Sequence, residues 1–392
     1  MAPPTDSWRR KTGPSGFGKA HTQAPGAGTG ASRPRAINVA MLLSEGQESQ
    51  GGMGRIIGYL VRSLAATDPD ISTYPMATRL AGTSMLKHLS VPVSLAKFVR
   101  FTLACPIDVV HINVAPRGST WRKMVYAQAA RALKRPVLIH LHGSAYDEYF
   151  RSLRPTQARM VQRFFQNADH VVALSEQWAD FVREDLGVPA AQVTEIANGV
   201  PAADDLQPRP RERPAHIAFF GVVGHRKGTD VLIDALGALA ARGLQFRVTI
   251  GGNGDVEAAR AHARKVGIAD RVHFLGWVDQ PAVDQVLRDA DIFVLPSRAE
   301  NQPVAILEAM ARALPVVATR IGAIPRQIED GVTGLLVEPG DVDGLATCLA
   351  ELIEDQACRL AMGAAALKLF EERFSIDACA RKFALLYRQL AR

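Results

Sequence analysis

Apolar residues along this chain fall into short blocks separated by helix-length stretches. "AINVAMLL" (36–43), "IDVVHIN" (107–113), "PVLIHLH" (136–142) and "DHVVAL" (169–174) each have the length of a strand, and helix-compatible sequence lies between them. Strands alternating with helices predict a parallel sheet covered by helices on both faces. The pattern pauses at "LQPRPRERP" (206–214), whose three prolines read as a linker. It then restarts with "AHIAFFGVV", "QFRVTIGG", "RVHFLGW", "ADIFVLPS" and "PVVATR". The expectation is an α/β chain with two doubly wound, Rossmann-like domains, at 36–205 and 215–375. A last amphipathic helix, about Ile376–Ala391, follows with Ser375 as its N-cap. Residues 1–35, rich in Pro, Gly, Ser and Thr without periodicity, read as a disordered tail.

Length and composition fit this division. The chain has 392 residues, enough for two domains, with 47% apolar and 22% charged residues. No apolar run reaches the length of a membrane span, and the start lacks the apolar core of a secretory signal. The cysteines, Cys105, Cys348, Cys358 and Cys379, are scattered, as expected for small buried residues in a reducing cytosol. A cytoplasmic protein is therefore expected. The net charge of +7 is unevenly spread. Residues 79–135 carry ten Lys/Arg against Asp108 alone, whereas 206–392 hold 23 bases and 23 acids. The basicity points to an anionic partner of the first half. The basic stretch lacks an aromatic stacking series and no nucleic-acid motif occurs, so nucleic acid is not the expected partner.

Open α/β sheets bind ligands beyond the carboxyl ends of their strands. With two such domains, the expected site is the cleft between them, and four segments supply candidate chemistry. In "SRAENQPVAILEAMARALP" (297–315), Glu300 leaves a strand end and Glu308 lies in the following helix. Pro303 suits the first helical turn, with Asn301 or Gln302 at the cap. A long ligand with hydroxyls at both ends could touch both acids, as a nucleotide sugar does. Spacing alone also allows two ordinary surface glutamates. In "FFGVVGHRKGTD" (219–230), Arg226 and Lys227 follow a strand beside a helix start, an arrangement suited to a diphosphate or merely a solvated basic turn. In "SQGGMGR" (49–55), glycines would admit backbone N–H groups close to a phosphate, or simply make a tight turn. In "LIHLHGSAYDEY" (138–149), His142 at the strand end is the better candidate of two histidines for cleft chemistry.

Searches for metal sites fail. No HxxxH or HExxH occurs, and the Asp-x-Asp pairs at 68–70 and 341–343 sit where Asp commonly caps helices and turns. "GGNG" (251–254) follows a strand but completes no dinucleotide fingerprint.

Taken in order, these segments resemble the retaining glycosyltransferases of family 4, which have the GT-B fold. The resemblance spans about residues 36–392. Glu300 and Glu308 match that family's acidic pair, and "LEAMARALPVVAT" (307–319) its continuation. "GHRKGTD", "GGMGR" and "HLHG" match its basic phosphate loop, its glycine loop and its histidine loop. "ALSE", "NGV", "VHFLGW" and "EDGVTGLLVEPGD" are similar to further family segments. The resemblance implies roles. Lys227 and Arg226 would hold the donor diphosphate, and Gly52 and Gly54 would approach it. Glu308 would bind the ribose. Glu300 would sit by the donor sugar, with the Asn301, Pro303 and Val304 backbone nearby and His142 opposite. The base would rest against the loop after "VHFLG". It further implies catalysis without a metal, and a final helix (376–392) crossing back onto the first domain. There are departures. Val222 stands where the family has Arg, Asn301-Gln302-Pro303 replaces Gly-Phe-Gly, and Arg326 replaces an acid.

The reaction expected on this basis is transfer of a sugar, mannosyl or glucosyl, from a nucleoside-diphosphate sugar to a saccharide acceptor. "HLSVPVSLAKFVRF" (88–101) mixes apolar residues with Lys97 and Arg100. It reads either as a helix lying on an anionic bilayer or as a core helix with a solvated basic edge. The first reading makes the acceptor a polyprenyl-diphosphate-linked saccharide, as in exopolysaccharide assembly, and places the protein peripherally on the inner membrane face. An inactive nucleotide-sugar-binding subunit, or a phosphorylase or epimerase on a similar scaffold, are the competing readings.

Overall fold

The computed structural model describes residues 35–44, 52–79, 84–143, 145–204, 206 and 214–392. The tail at 1–34, the first part of the glycine loop (49–51) and nearly all of the linker (207–213) lie outside the described residues. Residues 36–392 form one compact unit.

Two six-stranded sheets, all of whose neighbours pair in parallel, organise that unit. The first contains β1 (Ile37–Leu43), β2 (Ile71–Ala77), β3 (Val109–Val114), β4 (Val137–Leu141), β5 (His170–Ala173) and β6 (Val193–Glu195), in spatial order β2-β1-β3-β4-β5-β6. The second contains β7 (Ala215–Phe220), β8 (Phe246–Gly251), β9 (Val272–Gly276), β10 (Ile292–Leu295), β11 (Val316–Thr319) and β12 (Gly334–Val337), in order β12-β11-β10-β7-β8-β9. The inner strands read as unbroken apolar runs because helices cover both faces. Every residue of β3, β4, β7, β10 and β11 is buried.

The strands that the apolar blocks did not announce are β2, β6 and β12, and each stands at a sheet edge. β2 is half-exposed over most of its length and contains Pro75, tolerable only where one side of the ladder is free. β6 is three residues long, and half of β12 is only partly buried.

The helices that position the site are α1 (Gly52–Thr67), α2 (Ser84–Ala104) and α3 (Gly118–Ala132) in the first half. In the second half they are α4 (Thr229–Ala241), α5 (Val304–Met310) and α6 (Ile376–Leu390). Ser375 caps α6, its hydroxyl accepting from the Ala378 N–H at 3.3 Å. The chain returns to the first domain just before this cap. The Val200 N–H donates to Phe374 O (3.1 Å), and the Ile376 N–H donates to Val200 O (2.9 Å). Gly199 permits the crossing, because a Cβ there would lie 2.8 Å from Ile376 Cα.

α6 then packs along α1. Ser63 Oγ donates to Asp377 (2.8 Å), and Arg388 reaches Asp68 (2.8 Å) and Asp70 (3.0 Å). That Asp-x-Asp pair is therefore a guanidinium seat, and in the other pair Asp341 caps a helix by accepting from the Gly344 N–H. A partly exposed ion pair contributes at most ~1 kcal/mol. Burying Ile376, Phe383 and Tyr387 contributes roughly 1.5–3 kcal/mol each, so packing dominates the docking of α6. All four cysteines are free thiols.

α6 also meets the first two of three imidazoles that pack in tilted pairs. The Tyr387 hydroxyl lies 2.6 Å from His111 Nδ1, and His111 Nε2 lies 3.2 Å from His140 Nδ1. The His140 and His142 rings are 3.8 Å apart. Burial, reinforced by Lys123, lowers the His111 pKa to about 3. Burial and the neighbouring imidazoles hold His140 and His142 well below the ordinary histidine range. Above pH ~6.5 these rings are neutral in both folded and unfolded chains. Below it the unfolded chain takes up protons that the folded one refuses, so stability falls as pH falls, by up to ~1.4 kcal/mol per pH unit for each ring. Urea unfolding at pH 7 and pH 5.5 should show a loss of up to about 4 kcal/mol from the three, reduced by roughly a third in His140→Phe. Equal stabilities at the two pH values would contradict the assignment.

Candidate active site

Strand order in the second sheet reverses beside β7, with β8 and β9 on one side and β10 to β12 on the other. Loops leaving adjacent strands diverge at such a reversal and leave a crevice. The loops after β7 and β10 carry Arg226 and Lys227 on one and Glu300 on the other. Lys227 Nζ is ion-paired with Glu300 Oε1, both side chains being little exposed (13% and 8%). Ser297 Oγ donates to the same carboxylate oxygen (2.8 Å). The Arg226 guanidinium donates to Ala299 O (3.1 Å), and the Arg298 N–H returns a bond to Arg226 O (2.8 Å). Gly228 makes this approach possible. Its φ is +68°, and an added Cβ would lie 1.8 Å from Pro296 O.

Helix α5 starts one residue later than expected. Pro303 is its N-cap, in an extended conformation, and Val304 is the first helical residue. Neither Asn301 nor Gln302 caps it, because both side chains are committed to the first domain. Gln302 Oε1 accepts from the Asn198 N–H (2.6 Å), and Asn301 Nδ2 donates to Gly143 O at 3.5 Å. Residues expected at a helix start thus tie the two domains together.

Glu308 is buried within α5 and, unlike Glu300, is not among the residues that line the cleft, although its partner Arg55 is. Its Oε1 accepts from the Tyr59 hydroxyl at 3.2 Å and lies 3.2 Å from Arg55 Nη1; Arg55 also donates to Gln280 Oε1 at 2.9 Å. Its Oε2 is buried without a hydrogen-bond partner. Burial raises the Glu308 pKa, and Arg55 opposes that rise. Arg55 and Tyr59 come from α1. Their partner lies some 250 positions away, so no local sequence pattern announces the contact.

The cleft between the domains has a volume of about 590 Å³. His142, Arg226, Lys227, Glu300, Asn301, Pro303 and Val304 all line it. His142 Nε2 is hydrogen-bonded to Asn113 Oδ1 at 2.8 Å, which fixes the ring's orientation. Gly52 and Gly54 fall in the first turn of α1 rather than in a loop, and Gly54 is buried. From that helix it is Met53, Arg55 and Ile56 that reach the cleft. Sequence reading passed over several lining residues. Gly251, Gly252 and Asn253 belong to the segment set aside for lacking a fingerprint, although their place after β8 was a usable signal. Trp277 and Val222, both exposed, stand in the wall.

Outside the cleft, α2 buries Ser94, Phe98 and Thr102 on one face. The other exposes Val93 (51%) and Leu103 (70%) beside Lys97 and Arg100, so the segment is both a core helix and an apolar, basic surface. No described helix is long and apolar enough to cross a membrane.

Two family profiles match the chain. "Glycosyl transferase 4-like domain" covers residues 39–199, and "Glycosyl transferases group 1" covers residues 214–355. A phosphatidyl-myo-inositol mannosyltransferase of Mycobacterium leprae is 30% identical over 342 residues, 81% of this chain and 86% of that protein. The amylovoran biosynthesis glycosyltransferase AmsK of Erwinia amylovora is 32% identical, over 74% of this chain and 71% of its own. Among solved structures, HepE of Anabaena in complex with UDP-glucose superposes with a TM-score of 0.71 at 21% identity, covering 90% of this chain and all of that one.

The Arg55–Glu308 contact yields a stability prediction. Removing the cation leaves a buried carboxylate, which costs about 3–5 kcal/mol where both partners are buried. Arg55 is partly exposed, so Arg55→Met should lower stability by about 2 kcal/mol in urea unfolding. Adding Glu308→Leu should restore most of that loss. An unchanged midpoint in Arg55→Met would show that the contact contributes nothing.

Proposed function

This chain belongs to the glycosyl transferases group 1 family and is a glycosyltransferase with the GT-B fold; from that premise we propose that it transfers a mannosyl or glucosyl residue from a nucleoside-diphosphate sugar with retention of configuration. The observation that carries this reading is the meeting of Arg226, Lys227 and Glu300 at the strand-order reversal, on the wall of the interdomain cleft. Diphosphate oxygens would displace Glu300 as the partner of Lys227, and Arg226 would add a second cation. The charge that develops on the leaving diphosphate is then met by donors already in place.

The remaining groups divide the donor among them. Glu308 keeps one buried oxygen without a partner, and a ribose hydroxyl would satisfy it. The base would lie along Trp277. Glu300, released from Lys227, would accept from sugar hydroxyls, with the Asn301, Pro303 and Val304 backbone beside it. His142, held neutral by burial, would act as a hydrogen-bonding group opposite rather than as a cation. No side chain here is committed as a covalent nucleophile. We therefore favour attack on the same face of the sugar, with the departing phosphate taking the acceptor's proton and no metal involved. The cleft walls would exclude water.

Both donors stay open. The mycobacterial relative is named for mannosyl transfer, and the Anabaena neighbour was solved with UDP-glucose. For the acceptor we favour a polyprenyl-diphosphate-linked saccharide used in exopolysaccharide assembly. The exposed apolar and basic face of α2 supports this by giving the protein a means to lie on an anionic membrane from the cytoplasmic side. The amylovoran relative supports the polysaccharide assignment.

One set of assays tests the proposal. Purified protein given a panel of nucleotide sugars should transfer or slowly hydrolyse one of them, releasing sugar of retained configuration, in the presence of chelator. Lys227→Ala should lower kcat by 10²-fold or more, the scale of losing one charge-stabilising donor. The chain should float with anionic but not neutral vesicles. Turnover in Lys227→Ala equal to wild type would refute the lysine's role. Failure with every donor would favour an inactive binding subunit, a reading that Val222 in the cleft wall invites.

A further inference from the structure

Two neighbouring strands of the first sheet place polar residues where apolar ones would pack better. β3 carries His111 and Asn113, β4 carries His140, and His142 follows two residues on. Alternate residues of a strand share a face, and Asn113 pairs with His140 in the register. His111, Asn113 and His140 are all buried. His140 Nε2 has no hydrogen-bond partner among the described residues. An unpaired buried nitrogen costs stability, so stability alone does not account for this polar strip. The strip starts at Tyr387 of α6 and ends at His142 on the cleft wall.

We propose that His140 is a positioning residue for the reaction: backed by His111 and by Tyr387 and Phe383 of α6, it sets the plane of the His142 ring. This inference rests on reading His142 as the group that meets the donor sugar from the first domain.

An imidazole on a cleft wall is defined by which nitrogen carries the hydrogen and by how the ring is turned. Asn113 settles the first. Its amide N–H donates to Leu42 O at 3.4 Å, and a carbonyl can only accept, so Oδ1 faces His142 and takes its Nε2–H. The neutral ring keeps a bare Nδ1, an acceptor for a hydroxyl.

The turn of the ring needs a second restraint, because a ring can still swing about one hydrogen bond. The His140 ring supplies it, 3.8 Å from the His142 ring at a tilt of 44°. His140 is itself held. Its Nδ1 lies 3.2 Å from His111 Nε2, and the Phe383 ring lies 5.2 Å from its own. His111 is held in turn by the Tyr387 hydroxyl at 2.6 Å and by stacking on Phe383 at 5.3 Å. The final helix, which follows the second domain in sequence, thus backs the cleft histidine of the first. A misplacement of about 1 Å near the reacting atoms can cost ~10²-fold in rate, and this backing prevents one.

The test uses the full chain and compares His140→Ala, His140→Phe and Tyr387→Phe, each with and without His142→Ala. Transfer is followed with the donor that the wild type accepts. His140→Ala should lower kcat about tenfold with little change in donor KM. His140→Phe keeps a ring against His142 and should recover most of that loss. In the His142→Ala background neither variant should lower kcat further. A residue that serves stability alone gives losses that add, so additive losses overturn the proposal, as does wild-type kcat in His140→Ala. If His140→Ala fails to fold, Tyr387→Phe decides: losing one hydroxyl should lower kcat about threefold, and only when His142 is present.

Imidazole nitrogen NMR of histidine-labelled protein adds an arm that needs no donor. In the wild type, His142 should show the two separate shifts of a fixed Nε2–H tautomer. In His140→Ala these should draw together, as the freed ring leaves Asn113 and its tautomers mix. If no donor is turned over, or His142→Ala transfers as fast as the wild type, the donor-side reading of His142 fails. The spectra then judge the positioning alone, and shifts unchanged in His140→Ala overturn it.

Discussion

Parallel strands send all their carboxyl ends to one edge of a sheet, and where their order reverses, neighbouring loops must part. That constraint shapes this molecule twice. In the second sheet the parting falls between β7 and β10, and the loops that leave there bring Lys227 against Glu300. In the first it falls between β1 and β3, where Ser44, Arg122 and Lys123 meet. Beside the second reversal the backbone leaves the interdomain cleft, and Lys227 and Glu300 stand on its wall.

Facing the two edges toward each other is a separate task, and the structure divides it between strong and weak contacts. Burial of the α6 side chains against α1 and β1 supplies most of the energy, and the backbone bonds of Val200 to Phe374 and Ile376 fix where the chain crosses. The polar ties across the cleft are fewer and weaker. Gln302 to Asn198, Asn301 to Gly143 and Arg55 to Glu308 involve groups that also line or adjoin the cleft. The side chains of these ties, Glu308 apart, are therefore also part of the cleft wall.

Much of this was legible in the chain. Inner strands announce themselves because burial on both faces requires continuous apolar sequence, so the two-domain α/β fold follows from blocks such as "IDVVHIN" and "ADIFVLPS". Edge strands do not, as Pro75 in β2 shows. The rule that chemistry sits at strand ends located His142, Arg226, Lys227 and Glu300, which the fold gathers into one cleft. What stayed hidden was non-local. Helix propensity suggests Asn301 or Gln302 as a cap, and only the facing domain reveals why they are diverted. Arg55 and Tyr59 gain their significance from Glu308, far away in sequence. The excess of bases in 79–135 was visible as a count, but not that Lys123 lies buried while Lys97 and Arg100 face outward. Only part of that charge therefore lies on the α2 face that the membrane reading uses.

The central claim is that a nucleotide-sugar diphosphate binds at the reversal beside β7. Amide hydrogen exchange, followed with and without UDP-glucose or GDP-mannose, addresses it most directly. Bound donor should slow exchange at 221–229 and 297–308, and in the first turns of α1. Binding detected by calorimetry without slowed exchange in 221–229 and 297–308 would contradict the account.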